Sequence, residues 1–272
     1  MTKISFAPFQ AEHVPQAVAL SNRERWGHRS EDWNLLLRFS SGIVALSGGD
    51  VVGTAMRSDF GTGQSRLSMV ITREDMRGLG VGRQMVEALL DDSRVFRLTA
   101  TAQGRPLYEK LGFRQFEQLS KHVGTVRSPD SVSENIQAYH ANDKPHVQQL
   151  EAEDFGADRT AFVNVMTEIG DLAVARDISG DIIGYAAVRP FDGQFTLGPI
   201  CAPDLGTARD LTHYFAKKYT GKVLRVDTFA KLGLGAHLEN IGLAHQGDFA
   251  LMQRGNDSAN NPRYGVFSQA IG

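Results

Sequence analysis

The stretch Arg77-Gly78-Leu79-Gly80-Val81-Gly82-Arg83 decides the fold of the first half of this 272-residue chain. It follows an apolar, β-branched run at 65–72 and precedes residues 81–92, in which apolar residues recur at helical spacing. The pattern predicts a strand, a glycine turn and a helix. Glycine has no Cβ, so backbone N–H groups at the start of such a helix can approach an anion, whose charge the helix dipole favours. The turn is therefore a candidate phosphate site.

Two common phosphate-binding motifs do not fit this turn. A P-loop ends in Gly-Lys-Ser or Gly-Lys-Thr, whereas Gly82 is followed by Arg83 and Gln84. A dinucleotide-binding fold needs an acidic residue about 20 positions further on, at the end of the next strand. The predicted strand at 95–101 ends without a carboxylate. For the three glycines taken alone, a tight turn with no ligand remains the alternative.

A third motif fits both this turn and a second stretch further along the chain. Arg77, Gly80 and Gly82 match the R-x-x-G-x-G/A turn of the GNAT superfamily of N-acetyltransferases. Residues 107–113, Leu-Tyr-Glu-Lys-Leu-Gly-Phe, resemble the L-Y-x-K-x-G-F stretch of the same enzymes. The resemblance covers most of residues 1–127. It departs at Thr101, where the family often has asparagine, and at 65–72, which lacks the Glu or Asp that some relatives use as a base.

The resemblance implies acetyl-CoA as the donor substrate, with its pyrophosphate held by the glycine turn. It also implies that Tyr108 is the general acid that protonates the departing thiolate, the alternative being a tyrosine packed in the core. One strand backbone N–H would stabilise the developing oxyanion. The implied coenzyme A contacts are the turn residues Arg77, Gly78, Leu79, Gly80, Val81, Gly82 and Arg83, and the strand residues Met69, Val70 and Ile71.

The acceptor side of the site is less defined by sequence. An amine must be neutral to attack, so a base or a desolvated pocket is needed; Asp59, Asp75 and Glu24 are candidates for the base, and a water chain is the alternative. Trp26 and Trp33, the two tryptophans of the chain, are candidates for an aromatic wall that binds a cation. The equally open alternative is that they pack helices onto a sheet.

A faint internal repeat predicts two domains of the same kind. Gly49–Ala55, with the sequence Gly-Asp-Val-Val-Gly-Thr-Ala, returns 131 positions later as Gly-Asp-Ile-Ile-Gly-Tyr-Ala at 180–186. We predict a GNAT domain at 1–127, a linker at 128–137 and a divergent GNAT-like domain at 138–272. Each is expected to be α/β (α+β), with a mixed, largely antiparallel sheet flanked by helices.

The second half lacks the residues that would bind a donor. Asp204 and Asp210 stand around the position of the glycine turn and would repel a pyrophosphate, and Leu238 replaces Tyr108. We expect this half to support the structure and to shape the acceptor pocket. Cys201, without a His or acid motif beside it, is expected to be a buried small hydrophobe.

Composition narrows the class of protein. With 29 Lys and Arg against 31 Asp and Glu, no broad basic surface exists for nucleic acid. One cysteine and eight scattered histidines give no metal-ligand spacing, and no run is long enough to span a membrane. We therefore expect a cytoplasmic protein with no metal, nucleic-acid or membrane partner; oligomeric state is left undetermined.

The predicted function is transfer of acetyl from acetyl-CoA to a primary amine of a small molecule, directly in a ternary complex. The alternative is a non-catalytic CoA-binding sensor or assembly module.

Overall fold

The computed structural model describes residues 3–61, 63–256 and 263–272, and they form two compact units. The first unit contains the described residues up to Arg114, together with Met252–Asn256. The second contains Gln115–Leu251 and the described residues after 262. None of the described helices is long and apolar enough to cross a membrane.

The first unit is an antiparallel sheet that becomes parallel at one edge. Strands β1 to β4 pair in sequence order with antiparallel neighbours, and β5 then pairs with β4 in parallel. The elements are β1 (Ile4–Pro8), α1 (Val14–Arg23), α2 (Ser30–Leu37), β2 (Ser40–Ser47), β3 (Asp50–Phe60), β4 (Gln64–Thr72), α3 (Val81–Leu89), β5 (Val95–Ala100) and α4 (Arg105–Lys110). The next strand along the chain is β6 (Arg114–Thr125), all but the first residue of which lies in the second unit.

The α3 helix follows from the spacing of its apolar residues. Val81, Met85, Val86 and Leu89 are buried and share the face that packs on the sheet. Ala88 is exposed, because the apolar stripe continues through Val86. The helix thus extends the glycine turn from a fixed position on the sheet.

The second unit repeats the same order of elements and adds one strand. Its strand order is β12-β6-β11-β13-β10-β9-β8-β7. The elements are β7 (Ile136–Ala138), α5 (Lys144–Phe155), α6 (Thr160–Ile169), β8 (Asp171–Arg176), β9 (Ile182–Phe191), β10 (Gln194–Cys201), α7 (Leu205–Lys218), β11 (Val223–Phe229), α8 (Gly235–Asn240), β12 (Ala244–Arg254) and β13 (Arg263–Gly265). The mixed, largely antiparallel sheets with flanking helices confirm the predicted fold class.

The two units do not follow the order of the chain at their ends. Strand β6 pairs antiparallel with β11 from Leu119 to Thr125, so it belongs with the second unit. In exchange, the first unit gains residues 252–256, where Gln253 accepts a hydrogen bond from the Arg97 Nε at 3.0 Å and Arg254 pairs with Asp92. The compact units therefore differ from the ranges 1–127 and 138–272, and the linker at 128–137 stays a prediction.

Candidate functional site

The glycine turn leaves the start of α3 open. Gly78 and Gly80 have φ angles of 77° and 79°, a left-handed conformation that favours glycine. Gly80 is the N-cap of α3 and provides no side-chain hydrogen bond to the helix. The N–H groups of a first helical turn have no acceptor within the helix. The turn therefore presents free donors and the positive end of the helix dipole, as an anion site requires.

The other turn residues do not cover this helix end. Leu79 is 56% exposed, and Val81 is buried beneath the turn. Arg83 is exposed and pairs with Glu87 one turn further along α3, at 2.8 Å. The predicted contacts thus separate into backbone groups at the helix end and side chains directed to solvent or core.

Gly82 brings three elements together behind the turn. A Cβ atom at Gly82 would lie 3.1 Å from the Thr72 Oγ1, at the end of β4, and 3.6 Å from the Leu107 Cδ2, on α4. A side chain here would require the Thr72 side chain to shift. The glycine therefore lets the open helix end, the end of β4 and the helix of Tyr108 lie side by side.

Strand β4 carries a bulge at the predicted pantetheine contacts. Thr54 pairs with Ile71 and Met56 with Ser68, so Ala55 alone faces two residues of β4. Met69 has a φ of 50°, rare for a residue with a side chain, and its carbonyl accepts a hydrogen bond from the Thr54 Oγ1 at 2.7 Å. The bulge redirects the β4 backbone at Met69 and Val70.

Strands β4 and β5 stop pairing after Arg66, before the bulge is reached. Within the described residues the two strands pair only over Gln64, Ser65 and Arg66 with Val95, Phe96 and Arg97. Strand β4 nevertheless continues to Thr72 and β5 to Ala100. The carboxyl ends of the two strands are therefore not joined by backbone pairing, and the gap between them lies at the end of β4 that leads into the glycine turn. We call this gap the first cleft.

Tyr108 is buried on α4 with a free hydroxyl. Its ring packs edge-on against Phe113, with centroids 5.8 Å apart, and a Cβ at Gly104 would lie 3.2 Å from it. Burial raises the pKa of the phenol. The hydroxyl makes no hydrogen bond to any residue that the structure describes. Tyr108 therefore stays protonated at neutral pH and retains a donor for a ligand.

Arg77 links the glycine turn to the end of α1. Its Nε donates to the Thr72 carbonyl at 3.2 Å, and its Nη2 forms an ion pair with the Glu24 carboxylate. Beside this pair is a surface pocket of about 830 Å3. Its lining is Leu20, Arg23, Glu24, Arg73, Glu74, Asp75 and Arg77.

The structure gives each candidate base a cationic partner. Burial would raise the pKa of Asp59, but hydrogen bonds from Arg57 and Ser65 and the nearby cations outweigh it and lower that pKa. Asp75 accepts two hydrogen bonds from Arg73, which lower its pKa. Glu24 is paired with Arg77. A carboxylate whose pKa is lowered by a cation is a weak base, so Asp59 and Asp75 are not suited to the role.

The two tryptophans have different environments. Trp33 is fully buried, stacks on Phe9 with centroids 5.3 Å apart, and donates from Nε1 to Ser21. It packs α2 onto the sheet and is not accessible to an acceptor, so its predicted role in an aromatic wall is wrong. Trp26 is half-buried in the loop after α1, edge-on to His28, and remains a candidate.

In the second unit, the helix that corresponds to α3 is α7, and a side chain caps its N-terminus. Asp204 is the N-cap of α7, and its carboxylate accepts a hydrogen bond from the Thr207 N–H at 2.7 Å. The cap supplies the negative charge that a phosphate would otherwise bring. Leu238, at the position of Tyr108, is fully buried. Cys201 is also buried.

Two features of the site have no signal in the sequence. The Arg77–Glu24 pair joins residues 53 positions apart, and nothing in the local sequence around either residue identifies the other. The bulge at Met69 depends on the register between β3 and β4.

Among the described residues, no three His, Cys, Asp or Glu side chains come together as metal ligands.

Comparison with known proteins gives one consistent description. Two models for an acetyltransferase (GNAT) domain match the chain, one over residues 39–115 and the other over 147–268. YitH of Bacillus subtilis (strain 168), described as an uncharacterized N-acetyltransferase, is 27% identical over 96% of both chains.

Solved structures share the fold over nearly the whole chain. A crystal structure of a candidate acetyltransferase from Pyrococcus horikoshii superposes with a TM-score of 0.82 at 16% identity, over 99% of this chain and 96% of that one. A tandem GNAT protein from the clavulanic acid biosynthesis pathway gives 0.65 at 16% identity, over 94% and 100%. At these identities the likeness concerns the fold alone.

Proposed function

The chain belongs to the GNAT acetyltransferases, with one such domain in each half, and from this premise we propose that its first unit binds acetyl-CoA and acetylates a primary amine. The observation that carries the proposal is the open N-terminus of α3 beside the first cleft. Both would be needed for a ligand with an anionic end and an extended arm.

Donor binding rests on backbone groups. The pyrophosphate is held by the free N–H groups at the start of α3, where Gly78 and Gly80 allow close approach. The pantetheine arm lies in the first cleft, along the β4 backbone from Met69 to Ile71. The bulge directs backbone groups of β4 toward the thioester carbonyl, and one N–H stabilises the oxyanion that forms during attack.

The chemical step transfers acetyl in one ternary complex. The amine lone pair attacks the thioester carbonyl carbon, the C–S bond breaks, and the sulfur leaves as a thiolate. The proton lost by the amine nitrogen passes to solvent. The Tyr108 hydroxyl donates a hydrogen bond to the sulfur and then transfers its proton to it. Water afterwards reprotonates the phenolate.

The raised pKa of Tyr108 defines what the phenol can do. A thiol has an ordinary pKa near 8.5 and a phenol near 10, and burial raises the Tyr108 pKa further. Complete proton transfer to a solvated thiolate is therefore uphill. Tyr108 first stabilises the thiolate by donating a hydrogen bond to the sulfur. The phenolic proton then moves to the sulfur when the sulfur is buried together with the phenol, because burial raises the pKa of a thiol as well.

The acceptor is a small polar amine. The pocket beside Arg77 contains the carboxylates of Glu24, Glu74 and Asp75 together with three guanidinium groups. Its acidic groups can bind an ammonium, and its mixed charge favours a polar molecule over an apolar one. We therefore assign this pocket as the region that contacts the acceptor.

Acetyl transfer to a panel of amines tests the proposal. The purified chain is incubated with acetyl-CoA and small polyamines, amino acids or a lysine-containing peptide, and thiol release and acetylated product are followed together. We expect one class of small amine to be acetylated, and product formation at limiting acetyl-CoA to be slower in Tyr108→Phe and in Gly80→Asp than in the wild type. Tight binding of acetyl-CoA without transfer to any amine would favour the sensor or assembly module instead.

A further inference from the structure

The second unit contains a strand that has no counterpart in the first. This strand, β13, belongs to a segment at residues 263–267 that we call the C-terminal segment. It lies between β10 and β11 in the sheet. Strands β10 and β11 pair directly only at Phe195 and Thr196 with Leu224 and Arg225, so β13 enters where they separate.

The C-terminal segment is bonded to both strands. On one side Gly265 pairs with Ile200, and Arg263 with Cys201, in β10. On the other, the Thr228 Oγ1 donates to the Tyr264 carbonyl at 2.6 Å. The Val266 N–H also donates to the Asp227 carbonyl at 3.0 Å. The segment thus satisfies backbone groups on each side of the gap.

This gap is the repeat of the first cleft. In both units a parallel pair separates after two or three paired residues, β4 from β5 and β10 from β11. Each gap is followed by a helix, α3 or α7, that starts at its open end. The first cleft contains no strand among the described residues, whereas the second is filled by the protein's own chain.

Arg263 fills the neighbouring space with a cation. Its Nη2 lies 2.9 Å from the Glu151 carboxylate and its Nε lies 2.8 Å from that of Asp154. Both acids are on α5, and Glu151 also binds the buried Arg159 at 3.1 Å and the Tyr185 hydroxyl. Two buried carboxylates are thus balanced by two buried guanidinium groups.

The surroundings of Arg263 correspond to the acceptor side of the first unit. Helix α5 repeats α1, whose last residues line the pocket beside Arg77. The C-terminal segment continues to Phe267, which packs edge-on against Phe162 of α6 with centroids 5.0 Å apart. The same five residues therefore reach both the donor gap and the acceptor side of the second unit.

We propose that the C-terminal segment is an internal ligand of the second unit: its backbone takes the place of the donor's arm, and the Arg263 guanidinium takes the place of a cationic acceptor. The second unit is then a filled site that admits no acetyl-CoA. This inference does not require the first unit to be active.

The single cysteine of the chain reports whether the segment is seated. Cys201 lies beside it in β10, paired with Arg263, and is 6% exposed, with its thiol against the Asp154 carboxylate that Arg263 binds. In the full-length protein, the reaction of Cys201 with an aromatic disulfide reagent should therefore require local opening of the segment. Burial also raises the pKa of this thiol, which slows the reaction further.

The test compares labelling rates of full-length variants. Arg263→Met leaves Glu151 and Asp154 without their shared cation and should raise the rate at least about tenfold. Arg254→Met, which breaks the exposed pair with Asp92 in the first unit, should leave the rate unchanged. If Arg263→Met does not fold, Gly265→Ala replaces it, because the new Cβ would lie 3.0 Å from the Ile200 Cδ1 and 3.1 Å from its Cγ1, and this crowding should loosen the pairing with β10.

Acetyl-CoA supplies the decisive arm of the same experiment. Saturating acetyl-CoA should leave the Cys201 labelling rate of the wild type unchanged, because the donor does not enter the filled gap. Protection of Cys201 by acetyl-CoA would overturn the proposal, as would rapid labelling of the native wild type. An unchanged rate in a folded Arg263→Met or Gly265→Ala variant would overturn it too. Amine transfer is measured separately, so failure of the proposed function leaves this result readable.

Discussion

Arg77 and Glu24 form an ion pair that joins the first residue of the glycine turn to the end of α1. The same guanidinium also bonds the last carbonyl of β4, at Thr72. Arg77 therefore ties the glycine turn to the end of β4 and to the end of α1. Glu24 acts on the turn through Arg77, and the loop that follows Glu24 contains Trp26 and His28.

This pair predicts coupled effects on donor binding. Glu24→Gln should weaken acetyl-CoA binding about 2- to 10-fold in the wild type, because a half-exposed pair that orders a turn contributes modestly. In an Arg77→Met background the same substitution should change nothing, since the shared contact is already gone. Equal effects in both backgrounds, measured by calorimetry, would show that Glu24 acts independently. Tighter binding in Glu24→Gln would show that it repels the donor.

Tyr108→Phe should separate chemistry from binding. The substitution keeps the ring that packs on Phe113 and removes the hydroxyl. We expect kcat to fall at least about tenfold, in line with the usual range for a lost proton donor, while the Kd for acetyl-CoA changes less than about threefold. Single-turnover rates are the measurement. An unchanged rate of the chemical step would make Tyr108 a packing residue only.

His237 should limit stability at acid pH. Burial and the neighbouring His213 and Arg209 lower its pKa from 6.5 to about 4. The unfolded chain therefore binds more protons than the folded chain between those values, and stability falls as pH drops through this window. The His237→Leu variant carries the residue found at the equivalent position of the first half, Leu107. As the pH falls from 7 to 4, its melting temperature should exceed that of the wild type by a growing margin. The exposed His146→Leu should show no such trend.

Asp204 should support the fold without affecting the donor. Asp204→Ala removes the cap of α7 and should cost about 1 kcal/mol of unfolding free energy, whereas Asp204→Asn keeps an acceptor and should cost less. Urea denaturation measures both. Acetyl-CoA affinity should be unchanged in either variant. A change in that affinity would place the donor near the second unit's helix end.

Local patterns in the sequence were sufficient for the overall plan of the molecule. The glycine turn and the helix after it depend on residues close together in the chain, and a tight turn limits the backbone to few conformations. The repeat at Gly49 and Gly180 extended that plan to the second half.

Long-range contacts account for the features that the sequence did not reveal. Trp33 has the same local pattern whether it lines a pocket or packs under α2; only its stacking on Phe9 decides this. Strand β6 lies in the second unit and residues 252–256 lie in the first because of the strands and side chains with which they pair, and strand propensity does not determine that pairing. Arg263–Gly265 is a short strand, and no turn or repeat beside it in the sequence indicates which strands it pairs with. Its position between β10 and β11 could therefore not be predicted.

Calorimetric titration of acetyl-CoA into the wild type, Gly80→Asp and Gly80→Asn tests the central claim most directly. Asp and Asn are similar in size and both tolerate the left-handed conformation of Gly80, but only Asp adds a negative charge at the helix end. The wild type should bind one acetyl-CoA per chain, Gly80→Asn should stay within about fivefold of it, and Gly80→Asp should bind at least about tenfold more weakly than Gly80→Asn. Two sites per chain, or equal affinity in the Asp and Asn variants, would contradict the account.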